Sequence, residues 1–137
     1  MKSSLNLFLK NLHLFISLAI VVPTGVIYGC APSTILPHFL NIQVATNDLS
    51  NLLRAIMCLY LGISFVWLLG VLNCKYWKTA TQSTVLFMLT LASGRLLSMV
   101  LDGMPTGGYI FGVTAELFLG LFSLHQLKKY GGPNEDD

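Results

Sequence analysis

Three ionisable side chains lie deep inside apolar stretches of this 137-residue sequence: Arg54, Arg95 and Glu116. A carboxylate and a guanidinium can form a charge-assisted, hydrogen-bonded pair, and a cation that is left over can bind an anion. An isolated charge in hydrocarbon costs several kcal/mol, so each of these residues needs a partner. Asp102 shares a helical face with Arg95 and adds a second carboxylate. We therefore take Arg54, Arg95, Asp102 and Glu116 as the candidate site.

Three uses of this cluster are open. A structural ion-pair network would fix the relative positions of the helices, which is a common use of buried ion pairs. A binding site for a small anion or a lipid headgroup is the second use, because two arginines against Glu116 leave an excess of positive charge that either Asp102 or a ligand can cancel. A catalytic or proton-transfer role is the third, and no nucleophile–base pair or metal set supports it. We expect the first use, with forked two-bond geometry between Glu116 and an arginine.

The composition indicates that the cluster lies in a membrane. Hydrophobic residues make up 54% of the chain and charged residues only 10%, whereas soluble domains average about 25% charged residues. A soluble protein of this length could not bury so much apolar surface. The net charge of +2 is too small and too dispersed to indicate a nucleic-acid partner. We expect one domain whose surroundings are the lipid bilayer.

Four apolar runs are each long enough to cross a bilayer, which requires about 20 residues. They cover residues 8–30, 49–72, 80–101 and 109–127, and the connections between them are 31–47, 73–79 and 102–108. The sequence therefore predicts an all-α, four-helix transmembrane bundle over residues 1–130 and a disordered polar tail at 131–137. Asn47 or Asp48 is the expected N-cap of the second helix. The apolar middle of the first connection is expected to lie on the membrane surface or over the bundle.

The lysines predict the orientation of the helices. They occur before the first helix, in the middle connection and after the fourth helix, as Lys2 and Lys10, Lys75 and Lys78, and Lys128 and Lys129. The other two connections contain no Lys or Arg. By the positive-inside rule, both termini and the middle connection are cytoplasmic. We expect a multi-pass protein of the bacterial inner membrane with this N-in/C-in topology.

The first helix has a competing interpretation. Its basic start, its apolar run and the segment that ends at Cys30 are similar to a signal peptide with a lipoprotein-type cleavage site. Tyr28 is unfavourable just before the small residue that such a site requires. We therefore expect the helix to be retained in the mature protein.

Helix rise places the three charges at one depth. Arg95 and Glu116 each lie roughly 10 Å from the outer end of their helix, and Arg54 lies roughly 9 Å from its end. All three therefore reach the same level in the outer part of the membrane. Gly112, Glu116 and Gly120 share one helix face at a spacing of four, and the two small residues allow a neighbouring helix to approach the glutamate closely.

The histidines and cysteines show no metal-ligand spacing, so we expect no metal and no cofactor. A haem between His13 and His125, which both lie near cytoplasmic helix ends, is a conceivable alternative. We expect the histidines to be interfacial polar residues and the cysteines to be buried as small apolar residues: His13, His38, His125, Cys30, Cys58 and Cys74.

Two segments resemble the DUF4345 family, small bacterial proteins with four predicted membrane helices and a domain of unknown function. The motifs are Asp48 with Leu-Arg-Ala at 53–55, Gly-Arg-Leu at 94–96, Asp-Gly with a following Pro at 102–105, and Glu-x-x-x-Gly at 116–120. The resemblance covers about residues 48–124, and the first helix matches only in character. It implies that the four candidate residues occupy the family's polar positions. Met57 and Cys58 stand in place of a second glycine in the family's usual arginine–glycine stretch, which implies different packing there.

The resemblance implies no activity, and three functional hypotheses follow. The first is a non-enzymatic accessory or scaffold subunit of an inner-membrane assembly, bound to another protein or to a second copy of itself. The second is a binder or carrier of a small anionic or lipidic ligand at the Arg/Glu cluster. The third, a lipid-modifying membrane enzyme, ranks last because no catalytic constellation supports it.

Overall fold

The protein is all-α. A computed structural model describes the backbone of residues 2–132 and the side chains from residue 6 onward. Within this range the helices are α1 (Lys2–Gly29), α2 (Pro32–Phe39), α3 (Asn47–Leu72), α4 (Cys74–Asp102) and α5 (Gly107–Tyr130). Four of them, α1 from Asn6 onward, α3, α4 and α5, are long and apolar enough to cross a membrane. The predicted disordered tail lies, from residue 133 onward, outside the described residues.

The middle connection, predicted as a loop over residues 73–79, is part of a helix. Asn73 Oδ1 accepts a hydrogen bond from the backbone N–H of Lys75 at 3.0 Å. A side-chain oxygen at this position satisfies one of the N–H groups that a helix start leaves without a partner. α4 therefore begins at Cys74, and the basic and aromatic residues from Lys75 to Lys78 form its first turns.

The first connection contains α2, a helix that the sequence analysis did not predict. Proline is tolerated at a helix start because the N–H it lacks would have no partner there; Pro32 occupies this position and is buried with Leu36. His38 Nδ1–H donates to the Thr34 carbonyl at 2.8 Å on the exposed side. After α2 the chain turns at Asn41, whose φ of 56° lies in the left-handed region that Asn tolerates.

The N-cap of α3 also differs from the prediction. Thr46 Oγ1, and not the side chain of Asn47 or Asp48, accepts the backbone N–H of Leu49 at 3.1 Å. Thr is itself a favourable N-cap residue, and the N-cap of α3 therefore lies one residue before Asn47, the first of the two predicted N-cap residues.

The chain divides into two compact units. The first contains the described parts of Met1–Ile16 and Val66–Asp137, and the second is Ser17–Phe65. The first unit therefore holds α4 and α5 together with the start of α1 and the end of α3. The second unit holds the remainder of α1, α2 and most of α3.

In the first unit, α4 and α5 form an antiparallel hairpin. Gly103 ends α4 with a φ of 94°, which L side chains rarely adopt. Where the two helices lie side by side, the numbers of the residues in contact add to nearly the same value, as antiparallel helices of equal rise require. Three contacts show this, at the two ends and in the middle: Trp77 with Tyr130, Leu89 with Gly120, and Arg95 with Gly112.

In the second unit, α1 packs on α3 through two glycines one turn apart. A Cβ atom at Gly25 would lie 2.9 Å from Tyr60 Cβ, and one at Gly29 would lie 2.5 Å from Met57 Cβ and 3.1 Å from Arg54 Cα. The absence of side chains at these two positions allows the helix backbones to approach closely.

All three cysteines are exposed, so the prediction that they are buried is wrong. Where the outer surface of a helix faces hydrocarbon, a small apolar side chain is as well accommodated there as in the core. Burial of a cysteine in such a protein therefore brings little gain.

Candidate functional site

Arg95 of α4 and Glu116 of α5 form an ion pair. Arg95 Nε donates to Glu116 Oε1 at 2.9 Å, and the two side chains are 21% and 12% exposed. The pair connects the two helices of the hairpin roughly 10 Å from the turn that joins them. A charge-assisted hydrogen bond of this length is among the stronger side-chain contacts in proteins.

The sequence of α5 positions this pair. A Cβ atom at Gly112, one turn before Glu116, would lie 3.9 Å from Arg95 Cζ. Gly120, one turn after Glu116, is closed off by side chains of α4. The guanidinium also lies 5.4 Å from the ring centroid of Tyr109, at the start of α5, where a cation–π attraction operates. The glycines thus bring α4 close enough for Arg95 to extend along α5.

The pair does not have the forked geometry that the sequence analysis expected. Glu116 Oε2 is buried and has no hydrogen-bond partner among the described residues. The guanidinium extends past Glu116 towards Gly112 and Tyr109, so Nε meets the carboxylate. A buried acceptor without a donor costs free energy. Oε2 can therefore still accept a hydrogen bond.

The other two candidate residues have different surroundings. Asp102 is exposed, and its Oδ2 accepts a hydrogen bond from Ser98 Oγ at 2.8 Å. Arg54 is exposed on α3 and belongs to the second unit. Of the four candidates, the structure brings Arg95 and Glu116 together. The convergence of Arg54 on this pair, and charge cancellation by Asp102, stay predictions.

A comparison with family models matches residues 9–126 to a domain of unknown function, DUF4345. The match covers most of the chain. The protein belongs to the DUF4345 family. The matched range includes all four candidate residues and extends through α1 and α2, beyond the motifs that carried the resemblance in the sequence. No curated protein and no solved structure matches the chain.

A second polar cluster in this DUF4345 protein, centred on His13, was missed by the sequence analysis. His13 of α1 is fully buried, so the prediction that it is an interfacial residue is wrong. Its Nε2 lies 3.0 Å from Thr81 Oγ1, and that hydroxyl donates to the Trp77 carbonyl at 2.8 Å. With the Thr81 hydroxyl hydrogen directed at the Trp77 carbonyl, the tautomer of His13 that completes this bond is the one that donates from Nε2–H.

The cluster joins three helices of the first unit. Gln126 of α5 is buried, and its Nε2 donates to the Leu9 carbonyl of α1 at 3.0 Å. The rings of Trp77 and Phe122 lie edge-on to His13, with centroids 6.0 Å and 6.2 Å away. Buried polar groups with partners on neighbouring helices specify how those helices pack. The cluster therefore ties α1 to both helices of the hairpin.

A sequence signal for this cluster existed. Thr81 and Thr84 on α4, and Ser123 and Gln126 on α5, are polar residues three apart in apolar helices, and all four are buried. Polar residues inside membrane helices tend to face other helices. Neutral polar residues therefore mark a helix-facing side in the same way as charged residues do.

His13 and His125, the pair considered for a haem, have different surroundings. His125 is exposed, whereas His13 is enclosed and bonded to Thr81. Within residues 2–132, no group of three or more His, Cys, Asp and Glu side chains could hold a metal ion.

Proposed function

We propose that this DUF4345 protein crosses the bacterial inner membrane four times as a helix bundle, with both ends on the cytoplasmic side. Four long apolar helices support the crossings. Lys75 and Lys78 lie in the first turns of α4, and the last turn of α5 carries Lys128 and Lys129. The Trp77–Tyr130 ring contact brings these two helix ends together. The turn from Gly103 to Thr106 at the opposite end carries no charge, and this asymmetry follows the positive-inside rule.

Cysteine labelling tests the topology. Because Cys30, Cys58 and Cys74 are exposed, they must first be replaced by serine or alanine. A cysteine placed at Lys75 should resist a membrane-impermeant maleimide in intact cells, whereas one placed at Met104 should react. Labelling of position 75 from outside would refute the orientation.

Within the membrane, the protein acts as a non-enzymatic accessory or scaffold subunit of a larger assembly. The observation that carries this proposal is that Arg95 and Glu116 form an ion pair with each other across the α4–α5 hairpin. His13, a residue type that often takes part in proton transfer, is likewise engaged in a helix-to-helix hydrogen bond. Both clusters therefore stabilise a fixed helix arrangement, which is what a subunit that presents its surface to a partner requires.

The mass of the particle tests the accessory role. The protein should be extracted from native membranes with a gentle detergent or as a lipid particle, and the protein mass of that particle measured. We expect a stoichiometric complex much heavier than one 15.0 kDa chain. Purification through the partner, or through a differently tagged second copy, should recover the same complex with the same ratio of subunits. A solitary 15.0 kDa chain under all extraction conditions would contradict it.

A second candidate function is the binding of a small anionic or lipidic ligand at Arg95 and Glu116. The observation that favours it is Glu116 Oε2, a buried acceptor without a hydrogen-bond donor among the described residues, beside a guanidinium that is 21% exposed. A ligand that carries a phosphate or carboxylate together with a hydroxyl or ammonium group could contact Arg95 and donate a hydrogen bond to Glu116 Oε2.

Native mass spectrometry under lipid-retaining conditions tests this second candidate. A bound species that is present with the wild-type protein and lost in Arg95→Met would support it. Loss of the same species in Asp102→Asn, whose side chain bonds to Ser98, would indicate a non-specific charge effect. A wild-type spectrum without any adduct would contradict the proposal.

A further inference from the structure

A groove on the surface of the first unit runs along α4. Its volume is about 410 Å³, and its lining includes Gln82, Leu86, Leu89, Thr90 and Ser93 of α4 and Leu127 of α5. From Gln82 to Ser93 the helix rises roughly 16 Å. A bilayer core is about 30 Å thick, so the groove is about as long as one leaflet is deep.

The groove is apolar along its length, although two hydroxyl residues line it. Thr90 Oγ1 donates to the Leu86 carbonyl, and Ser93 Oγ donates to the Leu89 carbonyl at 2.7 Å. Because these hydroxyls bond within their own helix, they leave mainly carbon atoms to face the groove. Leu86, which is 71% exposed, forms its most open part. The chemistry of this stretch fits a hydrocarbon chain.

One end of the groove is polar and basic. Gln82 is exposed there, and Lys78 precedes it by one helical turn on the same face of α4. On the α5 side, Leu127 is followed directly by Lys128 and Lys129, both exposed. The antiparallel register of the hairpin puts the end of α5 beside the first turns of α4. An apolar channel that ends at lysines on two helices matches an amphiphile with a negative headgroup.

We propose that this groove binds one anionic phospholipid. Its acyl chain lies along Leu86 and Leu89, and its phosphate lies at the end marked by Lys78. The proposal rests on the membrane location proposed above, but not on the accessory role or on a ligand at Arg95. Its phosphate end is at the end of the hairpin opposite to the Arg95–Glu116 pair, whereas the far end of the groove, at Ser93, lies two residues from Arg95.

Filling the groove tests the acyl-chain part of the site. Purified full-length protein is titrated with phosphatidylglycerol, or with phosphatidylcholine of identical chains, and binding is read by native mass spectrometry. Leu86→Trp should weaken phosphatidylglycerol binding at least tenfold. Leu121→Trp is the matched control: Leu121 lies at nearly the same level on α5, is 59% exposed and does not line the groove. Equal binding by both variants would overturn the proposal.

Removing the charge tests the headgroup part. Basic residues at a membrane surface attract anionic lipids by about 1 kcal/mol each, so Lys78→Gln should weaken phosphatidylglycerol binding about fivefold. Phosphatidylcholine binding should stay unchanged, and Lys78→Arg should retain wild-type affinity. A wild-type protein that binds the two lipids equally would refute the anionic site.

Two controls separate the possible failures. Circular dichroism and thermal melting establish that each variant folds. Flotation of the wild-type protein with lipid vesicles reports membrane insertion independently. A protein that floats and folds but shows no preference for phosphatidylglycerol refutes the lipid site alone, whereas a protein that does not insert refutes the membrane location.

Discussion

The two ends of the α4–α5 hairpin carry polar groups of different kinds. Near the turn, Arg95 and Glu116 are charged, join two helices and remain 21% and 12% exposed. Near the lysine-bearing end, His13 and Thr81 join α1 to α4 by a hydrogen bond between an imidazole and a hydroxyl group, and both residues are fully buried. Fourteen residues of α4 separate Arg95 from Thr81, which corresponds to roughly 21 Å.

The difference follows from the cost of removing each group from polar surroundings. A full charge loses far more solvation free energy on burial than a neutral hydroxyl or imidazole, even when it has a partner. The charged pair therefore lies where part of each side chain stays accessible. The neutral groups can be enclosed completely because one hydrogen bond to each offsets most of the free energy lost when water is removed from it. Polar groups at the two ends should then respond differently to substitution.

The largest expected effect is at the charged end. Glu116→Gln preserves size but leaves the Arg95 charge without its counter-ion. Breaking a buried pair costs about 3–5 kcal/mol, and partial exposure favours the lower end, about 3 kcal/mol. Unfolding in mixed detergent micelles measures the loss.

Arg95→Met should recover part of that loss in the Glu116→Gln background, because the uncompensated charge is removed. The two substitutions should therefore be non-additive. If Glu116→Gln unfolds like the wild type, and Arg95→Met has the same effect in both backgrounds, the pair contributes nothing to stability and the ligand-binding candidate gains support.

The next effect concerns the packing between the two ends. A Cβ atom at Gly120 would lie 2.5 Å from Leu89 Cδ2 and 2.8 Å from its Cγ. Gly120→Val should cost about 1–3 kcal/mol, as overpacked cores do. Gly94→Val is the control, because a Cβ atom there meets nothing within 4 Å. Similar unfolding free energies for the two variants would show that the helices separate without penalty.

A smaller effect is expected at the neutral end. Thr81→Val keeps the shape but leaves the His13 Nε2–H group buried without an acceptor, at a cost of about 1–2 kcal/mol. Thr90→Val removes a hydroxyl that bonds to its own helix in the same way but is exposed, so it should change stability by less than about 0.5 kcal/mol. A histidine ¹⁵N spectrum should show the Nε2–H tautomer in the wild type. An Nδ1–H tautomer would disprove the donor assignment.

The smallest expected effect is the coupling between the two ends. Sites more than about 10 Å apart that share no partners are additive within about 0.5 kcal/mol. The double variant Glu116→Gln/Thr81→Val should therefore lose the sum of the two single losses. A coupling above 1 kcal/mol would mean that the hairpin transmits strain along its length, and the two ends would then have to be treated as one network.

The sequence by itself predicted the α-helical class, the four long apolar helices and the family. Apolar run length reflects the thickness of a bilayer, and no tertiary contact is needed to read it. The spacing of Gly112, Glu116 and Gly120 also predicted which face of α5 a neighbouring helix approaches, because helical periodicity is a local property; the structure shows that this neighbour is α4. The prediction of a loop at 73–79 was wrong, although the interaction that decides it is also local: the side chain of Asn73 caps α4, which therefore begins at Cys74.

Only the tertiary structure decided which polar groups meet. The position of His13 in the chain says nothing about Thr81, since 68 residues separate them. Helix rotation and register, which depend on packing along the whole hairpin, bring the two together and leave His125 at the surface. The same register turns the guanidinium of Arg95 along α5, so that Nε contacts Glu116 and Oε2 has no donor among the described side chains. Residue type and depth determine that a charge needs a partner, but interhelix geometry determines which atom supplies the bond.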